Sequence, residues 1–169
     1  MPKRFSLIIF VLSFSLFNHA HAQDLRSQIL KAAYAELLRN FGNEKSDMIK
    51  PGGNLASQMD EMLGGPPDEL VEMSGNVFFF SACRQHSCDE KGAIIIDMES
   101  QKLLAGAWRH FHCQDRPRGV SKCDNEPTIS SYYFPEIKKN IKVEADVKEK
   151  INAWSESVGA RYFHEEFVK

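Results

Sequence analysis

The chain has 169 residues, 43% of them hydrophobic and 26% charged, with a formal net charge of −2. That length suits one domain built on one core. The slight acid excess argues against a nucleic-acid ligand, since phosphate binding needs a basic footprint, and is too small to name another partner class.

The N-terminus reads as a leader. Lys3 and Arg4 make a positive start, Phe5 to Phe17 are apolar apart from three serines, and Ala20-His21-Ala22 meets the small-x-small cleavage rule. The expectation is a signal peptide over 1–22 and a mature chain over 23–169, exported to the periplasm or secreted. The apolar run is shorter than the roughly 20 residues of a membrane span, and no later stretch approaches that length, so the mature chain is expected to have no membrane association. Removal of Lys3 and Arg4 takes the net charge from −2 to −4.

Export makes the four cysteines informative. In an oxidising compartment, four with none left over read as disulfides, in any of three connectivities. The local pairs Cys83–Cys88 and Cys113–Cys123 are preferred, and rings of those sizes stabilise by roughly 2 and 3 kcal/mol in the chain-entropy picture. Cys-x-x-Cys is absent, so thiol exchange is not expected.

A helix is predicted over 28–41, where Leu30, Ala33, Tyr34, Leu37, Leu38 and Phe41 recur at three- and four-residue spacing. Ser27 is its expected N-cap and Gly42 its C′ residue. Pro51-Gly52-Gly53 and Gly64-Gly65-Pro66-Pro67 are turn signals, and they bracket a short helix over 54–63 that would bury Leu55, Met59, Met62 and Leu63. Strands follow over 76–82, 92–98, 103–113 and 128–134, rich in Phe, Ile, Val and Tyr. Runs such as Val77-Phe78-Phe79-Phe80 and Ile94-Ile95-Ile96 lack alternation, which predicts strands covered on both faces. Short links predict an antiparallel meander. A turn of helix is expected from Pro135, then a helix using Val147, Ile151, Trp154 and Val158, with Asp146 as cap and Gly159 at its end. The fold class is α+β: a central antiparallel β-sheet flanked by helices in a single domain.

Cys83-Arg84-Gln85-His86-Ser87-Cys88 lies between two of these strands. If closed, it is a small rigid ring of donors and acceptors with no bulky apolar residue. A rigid loop loses little entropy on docking, and a histidine can donate and accept, or donate twice. Such a ring suits a polar, water-lined cleft on another protein.

Ser81-Ala82-Cys83-Arg84-Gln85-His86-Ser87-Cys88 resembles the signature loop of the Ivy family, inhibitors of vertebrate (c-type) lysozyme, which reads Ser-Ala-Cys-Lys-Pro-His-Asp-Cys. The likeness runs on through Ala93-Ile94-Ile95-Ile96 to Leu104-Ala105-Gly106. The resemblance implies an exported, largely periplasmic protein of a Gram-negative bacterium, neither an enzyme nor a cofactor carrier, whose partner is a c-type lysozyme; several members are homodimers. It also implies that the ring, with Arg84, Gln85, His86 and Ser87, enters the lysozyme cleft and that His86 meets the catalytic carboxyl groups. Lysozyme uses one carboxylic acid and one carboxylate, and an inserted histidine satisfies both while excluding substrate. Arg84 in place of lysine keeps the charge. Gln85 in place of proline frees the backbone, and Ser87 in place of aspartate removes a charge.

His110-Phe111-His112-Cys113 is the second constellation. On one strand His110 and His112 would share a side and could share a metal, while Cys113 points away. A metal-binding or envelope-stress protein using these two histidines is the alternative function, although a disulfide-closed polar loop around Asp115-Arg116-Pro117-Arg118-Gly119 accounts better for the second cysteine pair, and no metal site is assigned. Ser130, Ser131, His164 and the acids do not form a triad by spacing.

Overall fold

The computed structural model describes residues 5–116, 120–139 and 141–169. The elements in chain order are α1 (Phe5–Phe41), β1 (Lys45–Ser46), β2 (Gly53–Asn54), α2 (Leu55–Glu61), β3 (Pro67–Ser74), β4 (Val77–Arg84), β5 (Ser87–Asp97), β6 (Lys102–His110), β7 (Cys113–Arg116), β8 (Val120–Cys123), β9 (Thr128–Tyr133), a 3₁₀ turn (Pro135–Lys139), α3 (Ile141–Val158) and β10 (Tyr162–Phe167). Six strands form the main sheet in the order β10-β9-β6-β5-β4-β3. β3 to β6 and β9 pair antiparallel, as the meander predicts, while β10 adds to β9 in parallel.

The unbroken apolar runs are explained by two cores. Phe80, Ile94, Ile96 and Trp108 face α1 and α2, packing with Ile29, Ala33, Leu37, Phe41 and Met59. Phe79, Ala93, Ile95 and Ala107 face the other way, onto Val147, Ile151 and Trp154 of α3. Successive strand residues point to opposite faces, so consecutive apolar residues are what a sheet between two helical layers requires.

Several boundaries differ from expectation. α1 passes through Ser27 without a cap, because the residues before it continue the helix from Phe5. Its buried row is Ile29, Ala33, Leu37 and Phe41, at four-residue spacing, which turns Leu38 outward to 43% exposure. Gly42 follows the helix but lies outside the left-handed region, its N–H still bonded to the Leu38 carbonyl at 3.0 Å. Gly159, by contrast, ends α3 at φ +66°. α3 begins at Ile141, so Asp146 lies within it. Asn54 caps α2, accepting from the Ser57 N–H at 2.9 Å. β3 and β10 are additions to the expected elements. β3 starts on a proline inside a turn signal, and β10 is exposed along its whole length, with Glu165 and Glu166 in the strand.

Trp108 is the pivot beneath α2. Its side chain is fully buried, and the indole Nε1 donates to the Met59 carbonyl at 3.0 Å. Gly106 makes the room: a Cβ there would stand 2.3 Å from the indole ring. Gly106→Ala is therefore expected to lower unfolding stability by about 1–3 kcal/mol through overpacking, read as a fall in the urea midpoint.

Candidate functional site

The ring Cys83–Cys88 forms the tip of the β4–β5 hairpin. Arg84 pairs with Ser87, leaving Gln85 and His86 as a two-residue turn. His86 has φ +68° and Gln85 does not share a positive φ. A positive φ at the second central residue alone is the type II pattern, which normally takes glycine there. A histidine in that position is strained and must be held by its surroundings. Both Gln85 and His86 are exposed, and Ser87 is half-buried.

Cys83 and Cys88 are bonded, with Cα atoms 4.7 Å apart. Cys83 is buried and Cys88 exposed, so the bridge runs from the core to the rim. Beyond Ser87 the ladder breaks, and pairing resumes only at Cys83–Lys91. Cys88, Asp89 and Glu90 thus bulge from β5, a common device for re-aiming a strand end.

Three contacts from outside hold this irregular tip. The segment Gly65-Pro66 runs alongside it like a short extra strand: the Gly65 N–H donates to the Cys83 carbonyl at 2.9 Å, and the Cys83 N–H to the Pro66 carbonyl at 3.1 Å. A side chain at Gly65 would put its Cβ 2.3 Å from the Cys83 oxygen, so only glycine allows this approach. The Gly65 carbonyl is in turn held by Arg26 of α1 at 2.6 Å. On the opposite side Arg109 donates to the Asp89 carbonyl and, at 2.8 Å, to the Gly159 carbonyl, joining the bulge to the end of α3. Arg84 makes the third contact, its Nε donating to Glu61 at 2.8 Å and its Nη1 to Glu90. Burial disfavours its charge, but hydrogen bonds and charge from Glu90 and Glu61 outweigh this and raise its pKa. In the sequence Gly65 reads only as part of a turn signal, and Glu61 and Arg109 carry no mark at all, because nothing local distinguishes a residue that acts on a loop distant along the chain.

The histidines do not assemble as the alternative function requires. β6 ends at His110, so the strand alternation that would align His110 with His112 stops between them. His110 is 1% exposed and His112 is exposed, with the rings edge to face at 5.5 Å. Among the described residues, no three His, Cys, Asp or Glu side chains gather to hold a metal. Instead His110 Nε2 lies 2.9 Å from Ser130 Oγ, a buried pair that sequence spacing does not suggest, and His110 Nδ1 finds no hydrogen-bond partner among the described residues. Burial, reinforced by the charges of His112 and His164, lowers the His110 pKa to about 4. Cys113 and Cys123 are bonded across β7 and β8. The polar loop expected between them falls partly on residues 117–119, outside the described residues. His164 is exposed in β10, beside Glu166 at 3.7 Å.

The ring is thus a disulfide-closed polar turn at the tip of a hairpin braced by neighbouring segments. The family model for inhibitors of vertebrate lysozyme (Ivy) matches residues 34–122, more than half of the chain, and the chain belongs to that family. The match runs from within α1 to β8 and contains the ring, the Gly65-Pro66 segment, Glu61, Arg84, Glu90 and Arg109; Arg26 and Gly159 lie outside it. No curated protein and no solved structure matches the chain. The family is one of inhibitors and not of enzymes, and among the described residues no helix is long and apolar enough to cross a membrane.

His110 gives stability a pH dependence. Its folded-state pKa of about 4 lies below the ordinary 6.5. As pH falls below 6.5 the unfolded chain takes up a proton that the folded chain refuses, so stability is lost between about pH 6.5 and 4, by about 3 kcal/mol in the limit. Urea unfolding at stepped pH is expected to show this slope, and His110→Asn to remove that component.

Proposed function

We propose that the mature chain, 23–169, is exported and inhibits a c-type lysozyme by seating the ring Arg84–Ser87 in the active-site cleft, with His86 against the catalytic carboxyl groups. The observation that carries this reading is the exposed imidazole at the tip of a disulfide-closed hairpin, inside the segment that matches the family. The chemistry is complementary. A neutral imidazole has one donor and one acceptor, and the glycosidase pair offers one carboxylate and one carboxylic acid. Gln85 stands beside His86 at the tip and supplies an amide to the polar walls of the cleft. The braces around the tip also favour binding, because a loop already ordered loses little entropy when it docks. The net charge of −4 left after loss of the leader suits encounter with a basic enzyme.

The test is an activity titration of a c-type lysozyme with the mature chain. Inhibition at micromolar protein is expected. His86→Asn, which tolerates the positive φ but removes the imidazole, is expected to weaken it by about tenfold or more. A parent chain without effect at micromolar concentration overturns the reading.

A further inference from the structure

Arg84 is the one cation in the ring, and a lysozyme cleft lined by carboxyl groups would be its obvious target. We propose instead that Arg84 is a positioning residue, whose guanidinium bridges Glu61 of α2 and Glu90 of β5 and so holds Gln85 and His86 in their docking pose without itself reaching the enzyme. This deepens the proposed function, on which it rests in taking the ring as the docking element, and narrows the residues that touch the enzyme to Gln85, His86 and Ser87.

The geometry is that of a clamp across a weak point. Glu90 belongs to the bulge that separates the Arg84–Ser87 pair from the Cys83–Lys91 pair. In that stretch β5 has no ladder partner on β4 to set its path. The disulfide ties Cys88 but leaves Asp89 and Glu90 to be held by other means. Arg109 takes the Asp89 carbonyl, and Arg84 takes the Glu90 carboxylate. The far side of the clamp is firm, because Glu61 ends α2, the helix whose Met59 carbonyl receives the buried Trp108 indole.

Burial decides that Arg84 stays in place. The Glu90 side chain is 10% exposed and that of Arg84 28%. If Arg84 swung out to a partner, the Glu90 carboxylate would remain largely buried without its pair, which is strongly unfavourable. Fork-shaped, charge-assisted donation to two carboxylates is also more directional than a single contact. The need for such a clamp is local to this chain. Gln85 occupies the first central position of a type II turn, where proline would have locked φ, and His86 next to it sits in the left-handed region.

The test uses the mature chain and the variants Arg84→Met, Glu90→Gln, Glu61→Gln and Arg84→Met/Glu90→Gln. In the free protein, backbone order parameters at 85–90 are expected to fall from about 0.85 towards 0.6 in Arg84→Met and Glu90→Gln, while those at 94–96 stay at the parent value and report an intact fold. Against a c-type lysozyme, Arg84→Met and Glu90→Gln are expected to weaken inhibition by a similar factor, about tenfold. The double variant should be no weaker than either alone, and the more exposed partner Glu61→Gln should lose less. A direct contact predicts the reverse: Arg84→Met loses inhibition, while Glu90→Gln and Glu61→Gln, which free the guanidinium, inhibit as well as the parent or better. That result overturns the proposal, as do unchanged order parameters in Arg84→Met. If the parent does not inhibit lysozyme, the docking reading fails and the order parameters alone decide whether Arg84 positions the ring.

Discussion

Burial of β4, β5 and β6 on both faces is the constraint on which the rest of the molecule depends. Phe79 and Phe80 are neighbours in sequence and belong to opposite cores, as do Ile94 and Ile95. Each such side chain taken from water contributes roughly 1.5–3 kcal/mol. With both faces apolar, a one-residue slip would expose no polar mismatch to forbid it. Register is decided by size instead. Gly92 and Gly106 flank the Trp108 indole, where a Cβ would collide, and Ala93, Ala105 and Ala107 lie buried under α3. The glycines and the tryptophan therefore select the pairing that aims the hairpin tip.

A sheet held in this way can carry a strained and polar end. The ring contains no hydrophobic side chain to anchor it beyond its cysteines, and one of its turn residues has an unfavourable φ. Its order comes from neighbours that are themselves fixed by the cores: α1 through Arg26 and Gly65, α2 through Glu61, and the end of α3 through Gly159 and Arg109. All three helices thus reach the tip by hydrogen bonds. The fold is the brace, and the presented chemistry is two or three side chains at its end.

Where sequence and structure part, the reason is physical in each case. Elements with strong apolar periodicity or unbroken β-branched and aromatic runs are legible, because burial by either face dictates their composition. β3 and β10 are not. β3 lies at a sheet edge and begins on Pro67, and β10 is exposed throughout, so neither carries a burial pattern, and β10 takes its pairing from a strand far along the chain. The start of α1 is hidden, because a run of helix-compatible apolar residues from Phe5 continues through the cap expected at Ser27. His110 and His112 remain neighbours, their rings edge to face at 5.5 Å, but β6 ends at His110 and leaves one ring buried and the other exposed, so the shared strand face that their spacing suggests does not form.

By itself the sequence determined the α+β class, the two-faced burial of the central strands and the ring with its histidine, because these follow from local periodicity, cysteine spacing and a short motif. Only the tertiary structure decided what the ring residues are free to do. That Arg84 is paired with Glu61 and Glu90, and that Gly65 is the strap beneath Cys83 and not a mere turn, depends on segments well separated along the chain. Hydrogen bonds between distant segments leave no periodic trace in a sequence, since they ask for one donor and one acceptor at a place that only the packed sheet creates.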